Sequence, residues 1–319
     1  MSQTSAETSD QIGGSSAAPP VPTEPELAAT LVAPHRNVRE HLSLIWQYRE
    51  LLVGLVRKEL KVRYKGSALG FFWSMLNPAT SLAVYYLVFA VFLQSSIPYF
   101  AFFLLSGQLA WNLFTASVPA ATASIVGNAP LIKKVYFPRE VLPLATIGAA
   151  MVHLFLQSLV LFAALAVFRY DVDWAYIWLV IPAVITLLLF TAALGIFLSA
   201  VNVYMRDLQH LMEILLMVWF WLTPILYQYT LVSDRLAKRG LPEWLPLLNP
   251  LTPIVLNMQR AIWGRTHGSA KDGSPLLIPD NSQWWYLGIL GVVAVVSVGL
   301  IYGAIKVFDH LEGNFSEEI

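Results

Sequence analysis

The sequence predicts an all-α integral membrane protein, and three observations carry that expectation. Of its 319 residues, 57% are hydrophobic and only 13% charged, against roughly 25% charged residues in a soluble domain. The apolar residues gather into long runs, and about 20 of them suffice for a helix to span a bilayer. The charges concentrate in the segments between those runs. Net charge is zero, so no global field favours nucleic acid or acidic substrates. The absence of cysteine excludes disulfides, thiolate nucleophiles and zinc–thiolate sites.

Residues 1–40 are expected to be a disordered cytoplasmic tail. Positions 1–34 are rich in Ser, Thr, Ala, Pro and Glu, too polar to offset their ordering entropy. They also lack the basic start and apolar core of a cleavable signal. Residues 41–70 read as an amphipathic interfacial helix. On a helical projection of 44–65, Leu44, Ile45, Tyr48, Leu51, Leu52, Leu55, Val56, Leu60 and Val62 share one face, while Glu50, Gly54, Arg57, Lys58, Lys61 and Lys65 share the other. Such a helix lies along the headgroups with its basic side toward anionic lipid and cytosol. Glu59 and Arg63 fall on the apolar face one turn apart. They form either a self-neutralising pair or, with Arg63 and Lys65 turned to the membrane entrance, a site for a phosphorylated headgroup. Arg57 and Lys61 belong to the same basic entrance.

Six spans are expected within 71–306, at about 71–93, 100–126, 140–168, 174–201, 209–229 and 284–306, followed by a cytoplasmic tail at 307–319. Eight Lys and Arg residues precede the first span, and the link after the second holds Lys133, Lys134 and Arg139, while the link after the first has none. Positive charge stays inside, so both termini are predicted to be cytoplasmic. The link at 127–144 is basic, bounded by Pro130 and Pro138, and predicts a short helix parallel to the membrane. Its exposed Val135, Tyr136 and Phe137, rimmed by charge, would suit a docking partner. The long outer link contains an apolar stretch, 244–264, broken by Pro246, Pro250 and Pro253, which no clean span tolerates. Two short helices meeting at Asn249–Pro250 would fit a re-entrant gate, and a folded loop resting on the membrane would fit as well.

Within the spans, His153 reads as a hydrogen-bonded packing residue. His210 and Glu213 read as a helix-end network. Tyr85, Tyr86, Trp219, Phe220, Trp221, Tyr227 and Tyr229 form either interfacial belts or the aromatic wall of a conduit on which sugars stack. No phosphate-cradling GxxxxGK[ST] loop or hydrolase motif is present, so active transport would need a partner that supplies energy. A membrane-embedded enzyme on lipid-linked sugars is the alternative, with Glu59, Arg63, His210 and Glu213 as its only acid/base candidates.

Four segments together resemble the membrane subunits of ABC-2-type polysaccharide exporters, the family that exports O-antigen, teichoic acid, capsule or galactan. They are KELKVRYKGSALGFFWSMLNP, LIKKVYFPREVLPL, NVYMRDL at 202–208 and NPLTPIVLNMQRAIWG at 249–264. The resemblance implies a permease without its own ATP site or cofactor, dimerised around a conduit in the bacterial cytoplasmic membrane. It further implies two ATP-binding cassette subunits that hold ATP and Mg, and a substrate glycan on a polyprenyl diphosphate; small amphiphiles are the alternative cargo. The coupling helix would be 127–138, with Lys133, Lys134, Val135, Tyr136, Phe137, Pro138 and Arg139 as coupling residues. The conduit aromatics would be Tyr85, Tyr86, Trp219, Trp221 and Tyr227. The outer gate, about 240–264, would rest on Asn249, Pro250, Pro253 and Arg260. The long Ala/Pro-rich tail departs from the family pattern.

Overall fold

The computed structural model describes residues 38–94, 97, 99–135, 137–264, 277–313 and 315–318. Of the tail expected to be disordered over 1–40, residues 1–37 lie outside them, as does Tyr136, whereas 38–40 already belong to a helix, Val38–Gln47. Among the described residues the fold is all helical, and five helical stretches are long and apolar enough to cross a membrane: Gly70–Phe92, Phe100–Gly127, Val141–Val167, Trp174–Tyr204 and Gln283–Glu312. Their bounds agree with the corresponding spans expected from sequence to within a few residues at most ends.

In chain order, α1 (Val38–Gln47) and α2 (Arg49–Arg63) form the amphipathic segment. It is two helices rather than one, because Tyr48 sits at φ −89°, ψ 17° between them. The first span comprises α3 (Trp73–Tyr85), which carries Pro78, and a π-helical turn, Tyr86–Phe92. Then come α4 (Phe100–Gly127), the short α5 (Ala129–Ile132) and α6 (Val141–Val167). The fourth span combines α7 (Trp174–Ile177) and α8 (Val180–Tyr204). After it come α9 (Leu208–Leu222), α10 (Tyr229–Ala237), α11 (Leu251–Ile262), α12 (Gln283–Glu312) and α13 (Phe315–Glu318).

The span expected at 209–229 is the element that differs. Helix α9 has 15 residues, or ~22 Å at 1.5 Å per residue, short of a hydrocarbon core of roughly 30 Å. It stops because Thr223 precedes Pro224, whose ring disfavours the helical conformation at the residue before it. Thr223 is indeed extended, at φ −102°, ψ 129°.

Helix α4 is the axle of the bundle, buried along most of its length and packed against α6, α8 and α11. Two apolar cores mark the two ends. One joins Phe100, Phe103, Tyr170, Leu179, Ile225, Leu251, Trp263 and Tyr286. The other joins Leu55, Ile125, Phe137, Val141, Val203, Phe308 and Phe315, so α2, the α4–α6 link and the end of α12 share one end. Only Ser74 and Pro78 of the first span are buried within the subunit, and Leu211, Ile214, Met217, Val218 and Trp221 on α9 are exposed.

The interfacial segment packs as its sequence pattern requires. Leu55 is buried, Leu51, Leu52 and Val56 pack on the second core, and Arg57, Lys58 and Lys61 are exposed. Val62 departs from the pattern and is exposed. Close approach of α2 to α6 depends on Gly148, where an added Cβ would lie 2.8 Å from Val56 Cγ2. Valine is stiff at χ1 in a helix, so Gly148→Leu should push α2 off the bundle and cost about 1–3 kcal/mol. Thermal melting of the purified variant should show a clear drop. Gly299→Leu, at a helix position with open space around it, should leave the transition nearly unmoved.

Candidate functional site

The basic entrance predicted from sequence lies on α2 and just beyond it, where Arg57, Lys61, Arg63 and Lys65 are all exposed. Glu59 and Arg63 form no ion pair. Arg63 instead lines a polar cavity of about 300 Å³ together with Asn77 of α3, Asn112 and Thr115 of α4, and His153 and Gln157 of α6; Leu113, Ala116, Ala150 and Leu154 complete the wall.

Hydrogen bonds stitch this cavity to the end of α2. Tyr64 hydroxyl contacts Ser74 Oγ, and His153 Nδ1 lies 2.9 Å from Ser74 Oγ and 3.1 Å from the Tyr64 hydroxyl. A relay runs along the wall: Gln108 Nε2 donates to Asn112 Oδ1 at 3.0 Å, and Asn112 Nδ2 donates to Gln157 Oε1 at 3.3 Å. His153 Nε2 is buried without a partner, so the expected packing role accounts for only half of that ring. Sequence reasoning missed Gln108, Asn112 and Gln157. Their signal was present as carboxamides and an imidazole four residues apart inside apolar runs, Gln108–Asn112 and His153–Gln157, where polar side chains are costly.

The link between α4 and α6 differs from the coupling helix expected at 127–138. Only Ala129–Ile132 is helical: Pro130 opens the helix, and Pro138 disfavours helical backbone at Phe137. Lys133, Lys134 and Val135 are exposed, but Phe137 is buried at 4% exposure and Pro138 is buried too. Phe137 is therefore a correction to the sequence expectation, since it fills the second core. Arg139 is held as well: it donates to the Glu312 carbonyl at 2.9 Å, lies 3.4 Å from the Glu312 carboxylate and stands over the Phe315 ring. On the other side, Lys58 Nζ donates to Asn128 Oδ1 at 2.6 Å, tying α2 to the start of the link.

The five expected conduit aromatics do not form one ring within the subunit. Tyr85 and Tyr86 line an apolar cavity of about 260 Å³ with Phe89, Tyr99, Phe102 and Phe168. Trp219 makes T-shaped contacts with Phe114 and Phe190 and is packed, partly buried, against the first core. Trp221 is exposed and Tyr227 donates to its carbonyl at 2.9 Å. Among the described residues no ring contact links the two groups. Burial pushes the Tyr227 hydroxyl pKa up. The Tyr229 pKa is pushed up to about 12 by burial and by the Glu243 carboxylate, which keeps that hydroxyl a donor to the Glu243 carbonyl at 3.0 Å.

The segment expected to form the outer gate has a two-part form, a short turn, Leu245–Leu248, then α11. Every residue of α11 is buried, and Pro253 sits in its first turn, where its missing N–H costs nothing. Gly107 permits the crossing with α4, since a Cβ there would meet Gln259 Nε2 at 3.0 Å and Val255 Cγ1 at 3.2 Å. Asn249 holds the junction with its whole amide. Its Oδ1 accepts from Trp219 Nε1 at 2.8 Å and from Leu251 N at 3.1 Å, and its Nδ2 donates to Thr223 Oγ1 at 2.9 Å. Arg260, 5% exposed, is an anchor: it donates to Asp173 Oδ2 at 3.1 Å and to the Gly264 carbonyl, with its guanidinium carbon 3.5 Å from the Tyr176 ring centroid.

His210 and Glu213 are exposed on α9 and make neither a hydrogen bond nor an ion pair, so the expected helix-end network between them is not formed. Of the acid/base candidates for an embedded enzyme, only Arg63 reaches the polar cavity. Among the described residues no group of His, Asp and Glu side chains could hold a metal ion.

Comparison with known proteins agrees with this architecture. The chain is 34% identical over 284 residues to the O-antigen export system permease protein RfbA of Myxococcus xanthus, covering 89% of this chain and 99% of that protein. Two proteins of the same name from Klebsiella pneumoniae are 32% and 28% identical over 268 residues, each comparison covering 84% of this chain and 94% of theirs. The profile of the ABC-2 type transporter family matches residues 50–262, from the start of α2 to the end of α11. A helical bundle with an amphipathic leading segment, a short basic link and a buried hairpin after its fifth apolar helix thus belongs to the ABC-2 type transporter family.

Proposed function

We propose that this chain is the permease subunit of an ATP-driven exporter that moves a lipid-linked polysaccharide across a bacterial cytoplasmic membrane. The observation that carries the reading is the match to O-antigen export permeases along nearly their whole length. Two copies of the chain would enclose the conduit, with both termini cytoplasmic, and two separate subunits would bind ATP and Mg. The exposed faces of the first span and α9 are the surfaces available to a second copy or to lipid.

The basic face of α2 would gather anionic headgroups near the cytosol, and Arg57, Lys61, Arg63 and Lys65 would receive the phosphorylated carrier. The exposed Lys133–Lys134–Val135 turn would meet the ATPase. Because Lys58 and Arg139 tie that turn to α2 and to the end of α12, a push on it would move the entrance as well. The aromatic surfaces at Tyr86 and Trp221, both exposed, would face sugar once two subunits are apposed, while Asn249 and the α11 hairpin would close the outer end.

Purification of the chain from its native membrane should bring down a stoichiometric ATPase bearing a GxxxxGK[ST] loop. Inverted vesicles containing both should then sequester lipid-linked glycan on addition of ATP. A chain that isolates alone, with vesicles that never move glycan, would refute the reading.

A further inference from the structure

Helix α12 ends in a way that joins three elements. A helix leaves its last four carbonyls without intrahelical partners, and a glycine in the left-handed region commonly closes them. Gly313 follows α12 but sits at φ −54°, ψ −36°, a right-handed conformation that does not form that cap. Two side chains from elsewhere bind the carbonyls instead. Arg139, near the end of the link that follows α5, donates from Nη1 to the Glu312 carbonyl at 2.9 Å, and its Nε lies 3.4 Å from Glu312 Oε1. Tyr204, the last residue of α8, donates to the Leu311 carbonyl at 2.8 Å. A cation at a helix C-terminus also meets the favourable end of the dipole.

Beyond Gly313 the chain folds back. Phe315 is wholly buried. Its ring centroid lies 5.5 Å from that of Phe308 on α12 and 6.2 Å from that of Tyr204, and the Arg139 guanidinium carbon stands 5.5 Å from it. Glu312 and Phe315 thus form a hook that grips the link, α8 and α12 at one point. The exposed Lys133–Val135 turn then has two mechanical outlets. One is α6, which begins at Val141; the other is α12, through Arg139.

At its far end α12 touches the hairpin. Tyr286, in the first turn of α12, is wholly buried, and its carbonyl accepts from Asn257 Nδ2 of α11 at 3.3 Å. Its ring stands edge-on to Tyr176 of α7 at 6.2 Å, the ring that Arg260 covers. Between these ends α12 is one helix of 30 residues without proline, ~45 Å long at 1.5 Å per residue and packed against α8. A displacement at Arg139 therefore reaches Asn257 through one rigid element, the kind of contiguous connection that can carry coupling.

We propose that Arg139, Glu312 and Phe315 are positioning residues for transport: their hook clamps the link to α12, and α12 carries the movement of the link to the outer hairpin. The proposal rests on the export reading for the ATPase that moves the link. Loss of the hook then leaves ATP hydrolysis running while the hairpin no longer answers it.

The test uses the full chain with its ATPase in proteoliposomes and a reporter in α11. The chain has no cysteine, so Thr252→Cys introduces a single thiol at a wholly buried position in the first turn of α11. A maleimide reaches that thiol only when the hairpin opens. ATP should speed its alkylation in the parent about tenfold, within the roughly 5–150-fold range of coupling between sites. Phe315→Ala and Arg139→Gln should each abolish the acceleration while ATP turnover per bound ATPase persists. The Arg139 side chain is 19% exposed, so its variant keeps the fold even if the Phe315→Ala chain does not. A hook that only stabilised the fold would lower melting temperature, bound ATPase and turnover together. That result, or full acceleration in both variants, would overturn the proposal, as would a parent whose thiol ignores ATP while its ATPase turns over. A parent that accelerates as expected but whose vesicles move no glycan removes the export reading alone.

Discussion

Arg260→Met is expected to lower the stability of the permease by about 3 kcal/mol and to abolish export. Breaking a buried ion pair from one side costs about 3–5 kcal/mol because the remaining charge keeps its desolvation penalty. The lower end applies because the Asp173 side chain is 36% exposed. Three elements lose their common post at once. Asp173 caps α7 through its other oxygen, at 3.2 Å from Ala175 N, Tyr176 loses the cation over its ring, and the turn at Gly264 loses a donor to its carbonyl. Arg260→Lys should recover little, since an ammonium cannot stack flat on Tyr176 while reaching two oxygens. The double variant Arg260→Met, Asp173→Leu should be more stable than Arg260→Met alone, because an apolar pair leaves no orphan charge. Thermal unfolding in detergent reads all three, and a single variant that melts with the parent would show that Arg260 anchors nothing.

Why did the sequence single out Arg260 without showing it as an anchor? Its neighbours in sequence gave an apolar, proline-broken hairpin, and the structure has that hairpin. Its partner lies 87 residues earlier, in a link between spans whose local pattern offers no sign of pairing. The same division runs through the fold. Span bounds and the α2 stripe follow from hydropathy and period, which are local, and the structure places them within a few residues. Helix α9 was overestimated because aromatic residues carry apolar character across Pro224, where the backbone has already turned extended. Phe137 was misread because burial in a loop is set by what packs around it, here Leu55, Ile125, Val141 and Phe315, none of which is next to it in sequence. The polar cavity was the largest omission. Its residues come from α2, α3, α4 and α6; Arg63 and His153 stood out singly in the sequence, and only the four-residue spacings Gln108–Asn112 and His153–Gln157 pointed to the carboxamides.

Reversing charge at the α5 turn, with Lys133→Glu and Lys134→Glu together, is expected to abolish ATP-driven export while leaving the bundle intact. Both side chains are exposed and make no hydrogen bond or ion pair, so their loss should change stability by no more than about 0.5 kcal/mol, as for ordinary surface sites. Their effect would arise only at a partner surface, where like charges set together cost several kcal/mol. Phe137→Ala is the necessary contrast. It empties a buried site and should cost about 3–5 kcal/mol, so it would lose export by loosening the ends of α2, α6 and α12 rather than by releasing the ATPase. The two failures separate in one experiment that follows melting temperature, ATPase retained on the purified permease, and export from vesicles. The lysine variant should melt like the parent and lose its ATPase; the phenylalanine variant should melt early. If the lysine variant keeps both its ATPase and its export, the turn is not the coupling surface. The force must then enter through another part of the same end, where Arg139, Glu312 and α13 are already joined.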